Sequence, residues 1–220
     1  MSKITLYGVD ISPPVRACLL TLKALELPFE YKVLNLAGGE NRSPEYLKLN
    51  PLGTVPVLDD KGTVIYDSHA ICSYLCDKYA KTDALYPKDL VKRAGVNQRL
   101  FFDASVLYKS VWNVAIGFWR SGHTVVEKEK VDNIHDALRQ TELLLEKSYI
   151  AGDTLTIADL CCAATVTSMS LVFDIDPQQY PKITAWLARL GQLPYFEKFN
   201  NVGAKQYTGL MRSKWTKVEL

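Results

Sequence analysis

The hydrophobic pattern of this chain changes once, near residue 80, and that change restricts the fold more than any other feature. Before it, short β-type runs alternate with helical ones. Ile4 to Tyr7 reads as a strand, Val15 to Leu25 as a helix and Phe29 to Leu34 as a second strand. Ser43 to Leu49 forms a short helix, opened by Ser43 ahead of Pro44 at the first helical position. Thr54 to Leu58 and Thr63 to Tyr66 are β-branched runs split by Asp60-Lys61-Gly62, a turn signal that makes them a hairpin. A helix from Ser68 to about Tyr79 completes the order β-α-β-α-β-β-α, an α/β domain over residues 1–80.

Residues 81–89 are polar, contain Pro87 and read as a linker. From 90 to 220 the periodicity is helical throughout, so an all-α domain with no strand is expected. Val96, Leu100, Leu107, Val111, Val114 and Phe118 form one apolar stripe, and Phe101, Tyr108, Trp112, Ala115 and Trp119 form a second. Two greasy faces need two burial partners, either core on both sides or core on one and a ligand cleft on the other. Thr156 and Asp159 have the spacing of a capping box, ahead of a helix rich in small residues that should sit centrally.

The bulk numbers exclude several classes. A net charge of +2 without a long basic run gives no case for nucleic acid. Met1 to Thr5 lacks the apolar core of a signal peptide, and no stretch approaches the ~20 apolar residues of a membrane span. Lys217 to Leu220 matches no retention or lipidation pattern. The five cysteines (Cys18, Cys72, Cys76, Cys161 and Cys162) are odd in number and lack a two-residue gap, so reduced thiols in a cytoplasmic protein are expected. Cys72 and Cys76 lie four apart, but none of the three histidines has matching spacing, and no metal is expected.

Three short stretches carry chemistry. Ser12-Pro13-Pro14 joins the first strand to the first helix. A helix N-terminus offers unpaired N–H groups and roughly half a positive charge, so Ser12 there could hydrogen-bond a ligand thiol and favour its ionised form. Val55-Pro56 opens a strand, where proline is either an ordinary edge residue or, if cis, a device that frees the backbone of Val55 to bind an extended peptide. Asp67-Ser68-His69 precedes a helix, with Ser68 a suitable N-cap. A carboxylate on that N-terminus and an ammonium on Asp67 would together suit the amino-acid end of a γ-glutamyl peptide.

On these residues the chain resembles a cytosolic glutathione transferase, most closely the insect epsilon class or the neighbouring delta class. The resemblance is carried by Ser12 to Ala17, Leu49-Asn50-Pro51, Thr54 to Leu58, Asp67 to Ile71, Leu85 to Asp89, Thr156 to Asp159 and Leu193-Pro194-Tyr195. It implies a thioredoxin-like N-terminal domain, a helical-bundle C-terminal domain and a homodimer, with Phe101 or Phe102 a candidate dimer contact. It implies that Ser12 stabilises the glutathione thiolate, with Tyr7 the rival hydroxyl. The implied glutathione-binding set is Ser12, Pro14, Asn41, Gly53, Thr54, Val55, Pro56, Asp67, Ser68 and His69. Ile11, Leu36, Tyr108, Trp112, Ile116 and Trp119 are the candidates for a hydrophobic acceptor site.

Two departures stand out. Epsilon and delta enzymes usually read Asn-Pro-Gln-His-Thr where this chain has Asn50-Pro51-Leu52-Gly53-Thr54, and Asn41 replaces another common histidine. Trp112 and Ile116 occupy places where charged residues are frequent, implying a greasier pocket. Glutathione affinity below that of typical members is therefore expected. His69 and His135 read as satisfied helix-surface histidines whose partners the sequence does not name. The expected reaction is attack of the thiolate on a hydrophobic electrophile. A non-catalytic carrier of apolar ligands, or a glutathione-dependent peroxidase or isomerase, are the alternatives.

Overall fold

The computed structural model describes residues 4–219. Strand β1 (Ile4–Gly8) is central, with β2 (Phe29–Val33) parallel on one side and β3 (Val57–Asp60) antiparallel on the other. β4 (Thr63–Tyr66) pairs antiparallel with β3, giving the order β2-β1-β3-β4. Helix α1 (Pro13–Ala24) makes the crossover that a parallel β1–β2 pair requires. The β3–β4 turn places Lys61 and Gly62 at φ 56° and 94°, both in the left-handed region that a tight hairpin demands.

Alternation along the strands sorts two cores. Ile4, Leu6 and Leu58 join Val15, Leu19, Ile71 and Leu75 from α1 and α3 (Ser68–Tyr79). Tyr7 and Val57 face the other way, against Leu34 and Tyr46, where α2 (Pro44–Leu49) lies. Ser43 caps α2 by accepting the Tyr46 N–H at 3.2 Å.

The remaining helices are α4 (Leu90–Phe102), α5 (Tyr108–Ser121), α6 (Lys128–Leu144), α7 (Ile157–Val166), α8 (Pro181–Leu190) and α9 (Val202–Arg212). Every residue of α7 is buried, and it packs against α1, α3 and α4. Its small side chains permit that close approach. Its start is a capping box: Asp159 Oδ2 accepts the Thr156 N–H at 2.8 Å, while Oδ1 accepts from Ile150 N and Trp186 Nε1. The architecture is thus an α/β thioredoxin-like half followed by a helical half, sharing one main core.

Several expectations need correction. The helical half does contain strands: β5 (Val125–Val126) pairs in parallel with β6 (Lys217–Val218), each too short to show an alternating pattern. The strand expected from Thr54 begins at Val57, beyond a proline that cannot donate to the ladder. A π turn, Asp103–Leu107, separates α4 from α5. Of the two readings left open for the second apolar stripe, all-core does not hold: Ala115 lies in the core, but Phe101, Trp112 and Trp119 are 72%, 41% and 46% exposed. No helix among the described residues is long and apolar enough to cross a membrane.

Candidate active site

Ser12 is the N-cap residue of α1, with extended backbone (φ −82°, ψ 118°) and no capping bond from its hydroxyl. The prolines remove one of the two usual partners. An N-cap side chain bonds the N–H of the second or third helical residue, and Pro14 at the second position has none. The same prolines correct the expectation of several free N–H groups, because Pro13 and Pro14 lack them and Ser12 N already donates to Val9 O at 3.0 Å. An anion at this end would meet the Ser12 hydroxyl, the Val15 N–H and the helix dipole.

The turn before Ser12 is held by Arg16, a residue that sequence reading placed only within a motif. Its guanidinium is 0% exposed, and it donates to Asp10 O and Ile11 O at 3.1 Å each, to Asn200 Oδ1 at 3.1 Å, to Ala164 O at 2.7 Å and to Ser168 Oγ. Burial lowers its pKa to about 9, which still leaves it charged at neutral pH. Gly203 permits the approach of α9, since a Cβ there would lie 2.2 Å from Asp10 O. Tyr7, the rival hydroxyl, has contacts of its own: its ring meets Tyr46 edge-on and its hydroxyl lies 3.5 Å from Lys32 Nζ.

The Val55–Pro56 peptide is cis. No backbone hydrogen bond within the described residues engages Val55, so its N–H and C=O are open to a partner. The loop before it is braced by buried Asn50, whose Nδ2 donates to Thr54 O and Oγ1 at 2.9 Å, and by Tyr46 OH, which donates to Thr54 O at 2.7 Å. Gly53 has φ 61°, and its carbonyl accepts from Asn41 Nδ2 at 2.7 Å.

Asp67, not Ser68, caps α3. Its Oδ1 accepts the His69 and Ala70 N–H groups at 2.9 and 3.1 Å, leaving Ser68 as the first helical residue. Asp67 holds φ 79°, an uncommon conformation for a non-glycine residue that often accompanies function. Ser68 is buried, and its side chain makes no hydrogen bond recorded within the described residues. His69 has partners: Nε2 meets Asp103 Oδ2 at 2.8 Å, and Nδ1 lies 3.7 Å from Asp67 Oδ1. Burial alone would lower its pKa, but the two carboxylates outweigh that and push it up to about 10. His135 also has a partner, Tyr180 OH at 2.9 Å, and stacks on Phe173. Asp103 Oδ1 is a buried oxygen without a hydrogen-bond partner among the described residues.

Known proteins resemble this chain in sequence and fold. The family model described as glutathione S-transferase, N-terminal domain, matches residues 6–83, and that described as glutathione S-transferase, C-terminal domain, matches residues 115–194. Glutathione S-transferase 1 of Manduca sexta is 39% identical over 215 residues, covering 96% of this chain and 98% of its own. An epsilon-class glutathione S-transferase from the housefly, Musca domestica, superposes with a TM-score of 0.94 at 49% identity, covering 96% of this chain and 98% of its own. A glutathione transferase homologue from Drosophila mojavensis, solved with bound glutathione, has a TM-score of 0.95 and 45% identity, covering 99% of this chain and 100% of its own.

The chain belongs to the glutathione S-transferase family.

Within this transferase, the peptide-side candidates Ser12, Pro14, Asn41, Gly53, Thr54, Val55, Pro56, Asp67, Ser68 and His69 lie on the β1–α1 turn, the loops before α2 and β3, and the start of α3. Tyr108, Trp112, Ile116 and Trp119 follow one another along one side of α5, half-buried or exposed, with Tyr108 and Trp112 stacked at 6.3 Å. Ile11 packs on the main core and Leu36 on the smaller one, both half-buried. The last turns of α5 bury no residue fully after Ala115. They are tied down by Phe118 against Trp215, and by the β5–β6 pair, where Thr216 N donates to Thr124 O at 2.8 Å. All five cysteines are buried and unpaired, and burial raises the Cys18 and Cys162 thiol pKa values. Arg16, Asn50, Asp103 and Trp215 were not singled out from sequence. The one available signal was Arg16, a charge inside an otherwise apolar helix pattern.

Proposed function

We propose that this glutathione transferase activates the glutathione thiol at Ser12 and presents the thiolate to hydrophobic electrophiles on the aromatic side of α5. The observation that carries this reading is the Ser12 hydroxyl, free of any capping bond at the start of α1. A free thiol has a pKa of about 8.5, so lowering it by two units requires ~2.7 kcal/mol of preference for the anion. A hydrogen bond to a charged acceptor supplies roughly 1.5–3 kcal/mol, and the helix dipole adds to it. Val55 takes the cysteinyl backbone as an added strand would. Ser68 at the start of α3 receives the γ-glutamyl carboxylate, and the remaining oxygen of Asp67 receives the ammonium. His69, fixed by Asp103, keeps a positive charge behind them.

The same reading divides the chain into a glutathione-binding domain over 1–80, a linker over 81–89 and a helical acceptor domain over 90–220. It takes the protein as a cytoplasmic homodimer, supported by the apolar residues Leu90, Val91 and Phe101, which are 81%, 81% and 72% exposed. The test is conjugation of glutathione to an aryl halide by the wild type and by Ser12→Ala. Turnover in the wild type and its loss in the variant, with retained glutathione binding, is expected. Equal turnover would move the role to another group.

A further inference from the structure

Where the family commonly has a histidine, this chain has Gly53, and the space beside Gly53 is already filled. A Cβ built there would lie 2.6 Å from Arg42 Nη1 and 2.9 Å from Asn41 O. A side chain at position 53 and the Arg42 guanidinium therefore compete for one volume, and glycine yields it to the arginine. Arg42 Nη1 donates to Leu52 O at 3.0 Å. Among the described residues Arg42 enters no ion pair. A guanidinium has five donors, so most of this one remains available, on an exposed residue.

The register of the sheet says which part of a bound peptide would meet it. Val57 pairs with Tyr66, so Asp67 and Ser68 lie beside the Pro56 end of the open segment. A peptide pairing antiparallel with Val55, its γ-glutamyl end at Asp67 and Ser68, runs on past Thr54 toward Gly53. Its far end is a carboxylate, and Asn41 spends its Nδ2 on the Gly53 carbonyl. Arg42, without an ion-pair partner among the described residues, is the cation beside Gly53 on that path.

We propose that Arg42 binds the glycyl carboxylate of glutathione, and that Gly53 is the vacancy which lets its guanidinium reach there. This rests on the placement of glutathione given above. Planar, bidentate contact with a carboxylate is what an arginine does well.

The test uses calorimetric titration of three ligands: glutathione, its glycyl monoethyl ester, and γ-glutamylcysteine, which lacks the glycine. Each is titrated into the wild type, Arg42→Leu and Arg42→Lys. The wild type should prefer glutathione, and Arg42→Leu should weaken glutathione by about three- to tenfold, as for a partly exposed charge pair. The ester and γ-glutamylcysteine should bind both proteins alike. Arg42→Lys should keep part of the preference, and added salt should shrink it. If all three ligands weaken together in Arg42→Leu, the residue only braces the Leu52 loop and the proposal is wrong. It is equally wrong if none weakens, or if the wild type binds all three alike. Failure of the wild type to bind any of them would instead overturn the glutathione site itself.

Discussion

On the peptide side of the cleft, the turn leading to Ser12 is pinned by a wholly buried arginine, and the loop before Val55 is braced by the buried Asn50. On the acceptor side, Trp112 and Trp119 stand 41% and 46% exposed on a helix whose last turns bury nothing fully. The two regions solve different problems. Under the proposed function, one receives the same tripeptide in every turnover, and fixed donors there need no rearrangement as charge develops on sulfur. The other, under the same proposal, accepts apolar molecules of differing shape, for which broad aromatic surface without specific polar contacts is suited.

The sharpest way to break this contrast is at Arg16. Arg16→Leu should lower stability by about 3–5 kcal/mol, because it strands buried acceptors from both halves of the chain. Trp112→Ala should change stability by less than about 1 kcal/mol, as expected for a half-exposed surface residue. Denaturant midpoints of the two variants would reveal any equality, and equality would end the contrast.

Next in size is Ser12→Ala. Loss of about 1.5–3 kcal/mol of anion stabilisation lowers kcat/KM roughly ten- to hundredfold at neutral pH. The rise of kcat/KM with pH should also move to higher pH, while the glutathione dissociation constant stays nearly constant.

The third prediction concerns His69, whose folded pKa of about 10 lies above the ordinary 6.5. A raised pKa means its stabilisation is complete below about pH 6.5 and declines as pH rises toward 10. Unfolding of the wild type against His69→Gln at several pH values should show a difference on the order of 2 kcal/mol that shrinks through this window. A constant difference would mean that His69 is held neutral.

The smallest effects belong to the acceptor side. Trp112→Ala should raise the KM for a hydrophobic acceptor several-fold, for roughly 1 kcal/mol of lost contact, and leave the KM for glutathione alone. A matching rise in the glutathione KM would show that the two regions are not separable.

Much of the fold was legible because it rests on local rules. The β-α-β-α-β-β-α order follows from alternation, and the Thr156–Asp159 capping box from a spacing of three. What escaped was decided by partners distant in sequence. Arg16 looks like an ordinary helix position until Asn200, Ala164 and Ser168 converge on it. The partner of His69 is not visible in sequence until a π turn brings in Asp103, 34 residues away. Asp67 displaced Ser68 as the cap through a left-handed backbone that residue type does not signal. At Gly53 the missing side chain read as a loss, whereas in three dimensions its room is taken by Arg42.

The most direct measurement is a pH titration of thiolate absorbance for glutathione bound to the wild type and to Ser12→Ala. Ser12 activation predicts a bound-thiol pKa at least about one unit below the ordinary 8.5 in the wild type, returning most of the way in the variant. Two proteins with the same bound-thiol pKa, or a wild-type value no lower than that of free glutathione, would contradict it.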